Sequence, residues 1–158
     1  MSAMRRLPDE PRLRVWRALL RVHAGVANAL EESLQEGRGI PLAWYQVLVE
    51  LRLAGGALRM HQLADMATLS RSGTTRLVDR IEAEGLVERR VCPSDRRGLE
   101  VVLTAKGQEV QRGAGPLVLR GIQEHLGRHL ADQQALALAE LLETVMEAEQ
   151  PGSAAPHR

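Results

Sequence analysis

The chain has no phenylalanine, and aromatic residues make up only 2% of its 158 positions. A core of stacked rings is excluded. The apolar 44% must pack largely as Leu, Val, Ala and Ile, a composition that favours helices over a large sheet. Cys92 is the single cysteine, so no intramolecular disulfide framework can form. No stretch approaches the roughly 18 apolar residues of a membrane span. The sequence opens on charge, Arg5 and Arg6, with no apolar leader behind it. The formal net charge is only +1, which argues against a strongly basic chromatin-type protein. There is no Gly-rich phosphate loop and no nucleophile elbow, and none of the five histidines has a plausible nucleophile to pair with. These absences lead to the expectation of one cytoplasmic domain with no cofactor, no membrane contact and no enzymatic activity.

What is present is unevenly distributed charge. Residues 1–21 carry six Arg against Asp9 and Glu10, and residues 71–97 carry seven Arg against five acids. Residues 120–150 carry two Arg against six acids. A low net charge can therefore hide a local basic surface.

Periodicity orders the chain. Residues 1–11, with Pro8 and Pro11, read as a loose arm. A helix over about 12–36 carries Leu13, Trp16, Leu20, His23, Ala27, Leu30 and Leu34 at alternating spacings of three and four. Gly37 and Gly39 stop it. A second helix spans about 42–53, and Gly55-Gly56 ends it. A short helix at 61–67 is followed by a turn at Thr68-Leu69. Ser70 then caps a helix over 71–84, with Thr74, Leu77, Val78 and Ile81 turned inward. Residues 86–91 and 99–103 alternate like two strands around a turn at 92–98. Thr104 caps a long helix to about Leu130, in which Pro116 predicts a kink. Asp132 caps a last helix over about 133–149, with a stripe of Ala135, Leu138, Leu142 and Val145. Residues 150–158 read as a tail.

The resulting fold class is mainly α with a small β-wing: a winged helix-turn-helix over 41–104, flanked by long terminal helices at 12–40 and 105–149. The apolar stripes of those terminal helices are too broad for one small core, which predicts a homodimer. The helix from Arg71 opens with Ser72, Gly73, Thr75 and Arg76, short polar groups and a guanidinium on a rod that fits a DNA major groove. A plain amphipathic core helix would look similar. Arg96 and Arg97 at the hairpin tip suit a minor groove or phosphates, and Asp95 can orient an arginine; a solvated turn also carries such charge.

Taken in order, these segments resemble a known family. Asp95–Gly107 (DRRGLEVVLTAKG) is similar to the wing signature of the MarR family, and Leu58–Arg90 is similar to its DNA-binding helices and first wing strand. The resemblance implies a dimeric regulator bound to a pseudo-palindromic operator in double-stranded DNA. Such a protein is usually a repressor of a nearby operon released by a small molecule, oxidant or metal. It implies that Ser70, Arg71, Ser72, Thr74, Thr75 and Arg76 occupy recognition positions, with Arg97 the minor-groove arginine and Asp95 its partner.

It also implies an effector pocket between the first, second and fifth helices, for which Trp16, Arg21, His23, Trp44 and Arg120 are candidates; His23 can equally be a packed interface residue. Glu124, His125 and His129 share the spacing of a metal-sensing branch, but residues 24–60 hold no His or Cys to complete the set. Cys92, near Arg89, Arg90 and Arg96, is either a reactive thiol or a small turn residue. A metal- or thiol-responsive regulator, and a winged-helix module for protein contacts, are therefore alternatives. Glu88 and Asp79 near the DNA face are what favour the latter.

Overall fold

The computed structural model describes residues 10–66, 71–92 and 95–149, with backbone alone at 66, 71 and 95–97. The element order is α1 (Pro11–Arg38), α2 (Leu42–Leu53), β1 (Ala57–Arg59), α3 (Met60–Met66), α4 (Arg71–Ala83), β2 (Val87–Cys92), β3 (Asp95–Leu103), α5 (Ala105–His125) and α6 (Asp132–Ala148). A short 3-10 turn, Gly127–His129, stands between α5 and α6. The mainly helical class with a small β-wing is what the structure has. Of the described residues, no helix is long and apolar enough to cross a membrane.

Two apolar clusters hold the fold. The first joins α2, α3 and α4 to the sheet through Leu48, Leu51, Leu63, Val78, Ile81, Val87 and Val101. The second joins α1 to α5 through Leu30, Leu34, Ala114 and Val118. Trp44 and Val110 pack against both, so the two clusters abut. Close approach at the junction is set by Gly107: a Cβ there would overlap the Leu86 carbonyl oxygen.

Local chemistry sets the boundaries. Gly39, at φ 64°, ends α1, and its N–H donates to the Gln35 carbonyl. The Glu31 carboxylate accepts from the Leu42 N–H at 2.6 Å, pinning the start of α2 to α1. Thr104 caps α5 as expected, its Oγ1 accepting from the Gly107 N–H at 3.0 Å. Asp132 differs from expectation: it is the first residue of α6, and the Gln134 side chain accepts the Ala131 N–H. Helix α5 runs through Pro116 without a break and stops at His125, five residues early.

The sheet has the order β1-β3-β2, all antiparallel. Strand β1 is absent from the sequence reading. Its three residues pair with the edge of β3, Ala57 opposite Val102 and Arg59 opposite Glu100. Strand β3 begins at Asp95, four residues before the expected start, because Cys92 pairs with Asp95 across an irregular step after Val91. The Gly56 carbonyl accepts from the Leu103 N–H at 2.8 Å, closing the sheet onto the end of α2.

Candidate nucleic-acid interface

Helix α4 divides cleanly. Thr74, Val78 and Ile81 are buried, and Leu77 is half-buried. Ser72, Thr75, Arg76, Asp79 and Arg80 are exposed on the opposite side. Thr74 is therefore a correction to the recognition set. At 1% exposure it belongs to the core, where its β-branched side chain fills the inward stripe, and it presents nothing to a groove. Ser70 lies outside the described residues. Arg71 contributes backbone at the start of α4, and Asp95, Arg96 and Arg97 contribute backbone at the start of β3.

The end of α4 is fastened to the wing. Gly85 turns the chain at φ 71°, and the Lys106 ammonium donates to the Glu84 carbonyl at 2.7 Å. Thr104 Oγ1 lies 2.8 Å from the Gly85 carbonyl and 3.0 Å from that of Leu86. Farther along, Arg89 of β2 reaches back over α4. Its guanidinium pairs with Asp79 at 2.6 Å and with Glu82, and it touches the Thr75 carbonyl at 3.4 Å. Its backbone N–H donates to the other Glu82 oxygen at 2.8 Å.

These contacts change the electrostatics read from the sequence. Asp79 and Glu82 are held by Arg89, and Glu88 is paired with Arg90. The acids that favoured a protein-contact module, Asp79 and Glu88, are thus each held by an arginine, and the trio of Arg89, Asp79 and Glu82 keeps one net negative charge. Arg76 and Arg80 are exposed and have no ion pair among the described residues. The outward face of α4 consequently presents hydroxyls and unpaired guanidinium groups. That arrangement suits a polyanion with a groove about 12 Å wide. A crevice of about 570 Å³ separates this face from the wing, lined by Arg59, His61, Ala64, Thr75, Gly98 and Leu99 among others.

The remaining candidates are scattered. Cys92 is 5% exposed, and the Arg59 guanidinium lies 3.6 Å from its sulfur. Arg89 and Arg90, which the sequence sets near the thiol, are engaged with carboxylates. His129 is not on the same helix as His125. It sits in the 3-10 turn with Arg128 Nε 3.2 Å from its ring, and the described residues contain no group of three metal ligands. Trp16, Arg21, His23 and Arg120 are exposed, while Trp44 is half-buried where the two clusters meet.

The strap from Arg89 was the main feature missed. A signal was available: Asp79 and Glu82 lie three apart on the outward side of α4, and Arg89 shares the inward strand face of Val87.

Comparison with known proteins agrees with this geometry. Residues 38–98 match the sequence pattern of the MarR family. The multiple antibiotic resistance protein MarR of Escherichia coli is 29% identical over 107 residues, 68% of this chain and 74% of that protein. A mutant of the same protein, solved with operator DNA, superposes with a TM-score of 0.75 at 28% identity, covering 84% of this chain and 93% of the other. A MarR family transcriptional regulator from Streptomyces coelicolor, solved in complex with DNA, is 34% identical with a TM-score of 0.82, covering 98% of this chain and 96% of that one. The chain belongs to the MarR family of transcriptional regulators.

Proposed function

We propose that the protein is a dimeric DNA-binding transcription regulator that represses nearby genes and is released by a small-molecule effector. The observation that carries the reading is the polar outer face of α4 beside a wing, where Arg76 and Arg80 are exposed while Asp79 and Glu88 are each held by an arginine. The Streptomyces relative solved with DNA supports it. In this reading Ser70, Arg71, Ser72, Thr75 and Arg76 enter the major groove, and Asp95, Arg96 and Arg97 bring the wing to the minor groove and phosphates.

The terminal helices support a homodimer. On α1, Val15, Trp16 and Leu20 are 56%, 58% and 51% exposed, and on α6 Leu136, Leu141 and Met146 are 64%, 67% and 65% exposed. Each such side chain gains roughly 1.5–3 kcal/mol on full burial, so a second copy is the natural cover. Two modules then reach half-sites about 34 Å apart. The effector pocket of Trp16, Arg21, His23, Trp44 and Arg120 would be completed by that second copy, and it suits an anionic aromatic molecule. In this reading the protein works beside the DNA that it regulates, in the cytoplasm expected from its sequence.

Mobility shift on the DNA upstream of the protein's own gene is the test. A single tight complex on a two-half-site fragment, weakened by aromatic carboxylates, is expected. Equal weak binding to every fragment would refute the regulator reading. Arg97→Ala should weaken binding at every sequence, whereas Arg76→Ala should also relax sequence preference.

A further inference from the structure

We propose that Arg89 is a positioning residue for the DNA interface, setting the wing against α4 without itself touching DNA; this rests on the DNA-binding reading above. Its contacts run along one stripe of α4, at Thr75, Asp79 and Glu82, spaced four and three apart. One strand side chain thus straps about two turns of the helix. The fork geometry of guanidinium allows it to serve both carboxylates at once. The Arg89 side chain is only 20% exposed, so its groups face the helix and not solvent.

The position along the hairpin gives the strap its leverage. Arg89 stands opposite Val101. Inward of that pair Val87 and Leu103 are buried, but beyond it Val91 and Leu99 are 56% and 49% exposed. On the strand face that Arg89 shares with Val87 and Val91, the apolar packing that seats the wing therefore ends at Arg89. Arg97 lies four residues beyond Val101, roughly 13 Å along the strand, so a rotation of about 10° at Arg89 would carry the tip roughly 2 Å. Charge adds to the same effect. Without Arg89, Asp79 and Glu82 would present carboxylates toward phosphates.

The test compares wild type, Arg89→Met, Arg97→Ala and the double variant on one operator fragment. Arg89→Met is expected to keep its helical circular dichroism, since Asp79 is 57% exposed and can rehydrate. It should lose DNA affinity by on the order of tenfold. Arg97→Ala should then cost much less in the Arg89→Met background than in wild type, because the tip is already displaced. Fully additive losses would overturn the proposal, showing that Arg89 acts independently of the wing.

Amide hydrogen exchange of residues 87–103 in the DNA-free protein gives a second readout. Faster exchange there, with α1 and α5 unchanged, is expected for Arg89→Met, and unchanged exchange counts against the strap. Arg89→Lys, which keeps the charge but loses the fork, should recover only part of the affinity and serves if Arg89→Met fails to fold. Full recovery would reduce the role to charge and defeat the positioning claim. If wild type bound no fragment, the regulator reading would fail, while the exchange measurement would still decide whether Arg89 sets the wing.

Discussion

The body around α4 and the terminal helices satisfy their surfaces in opposite ways. In the body, apolar side chains are covered within the chain: Leu48, Leu51, Val78, Ile81 and Val101 are all at 0% exposure. Of its acids, Asp79, Glu82 and Glu88 are paired by Arg89 and Arg90. In the terminal helices coverage is confined to the later part of α1, where Leu30 and Leu34 meet Ala114 and Val118 of α5. The first half of α1 and most of α6 leave leucines, valines and a tryptophan open. One region is complete as a monomer and presents polar groups to a charged polymer. The other is apolar and incomplete, as expected of a surface made for another copy of itself. The division of labour follows from where each region's free energy is gained.

Pairs of leucines offer the sharpest way to break that contrast. Leu48→Ala removes a fully buried side chain and should cost about 3 kcal/mol, lowering the Tm by roughly 10 °C in thermal denaturation. Leu141→Ala, at 67% exposure, should change the stability of the chain itself by under about 0.5 kcal/mol. It should instead weaken self-association by roughly tenfold in sedimentation velocity. Equal effects of the two substitutions on chain stability would erase the distinction.

The next effects are smaller, and the first two test the junction between the regions. Gly107→Ala forces a Cβ onto the Leu86 carbonyl, which cannot move freely, and should destabilise by roughly 2 kcal/mol in urea unfolding. Thr104→Ala removes the α5 cap and should cost about 1 kcal/mol by the same measurement. Arg90→Ala removes an exposed pair with Glu88 and should shift stability by less than about 0.5 kcal/mol.

Much of the architecture was legible in the chain because its signals are local. The inward stripe of α4, the Gly39 stop and the Thr104 cap each depend on residues within a few positions. Two features of the wing were not. The three residues Ala57–Arg59 carry no alternation of their own and become a strand only by lying along β3. The start of β3 depends on Cys92 pairing with Asp95, a register choice rather than a propensity. His129 illustrates the converse error. A spacing of four implies a shared helix face only if the helix continues, and α5 ends at His125.

Thr74 and Arg89 show the same division at the interface. The family pattern places Thr74 among recognition positions, while helical periodicity puts it with Val78 and Ile81, and packing follows the periodicity. The sequence by itself determined that α4 is a helix, where it begins and which side faces outward, since turn residues and apolar spacing act over a few residues. Only the tertiary structure decided which charges on that side are free. Arg89 meets Asp79 and Glu82 across ten and seven residues of chain, and ion pairing at such separations is set by how a strand folds back over a helix.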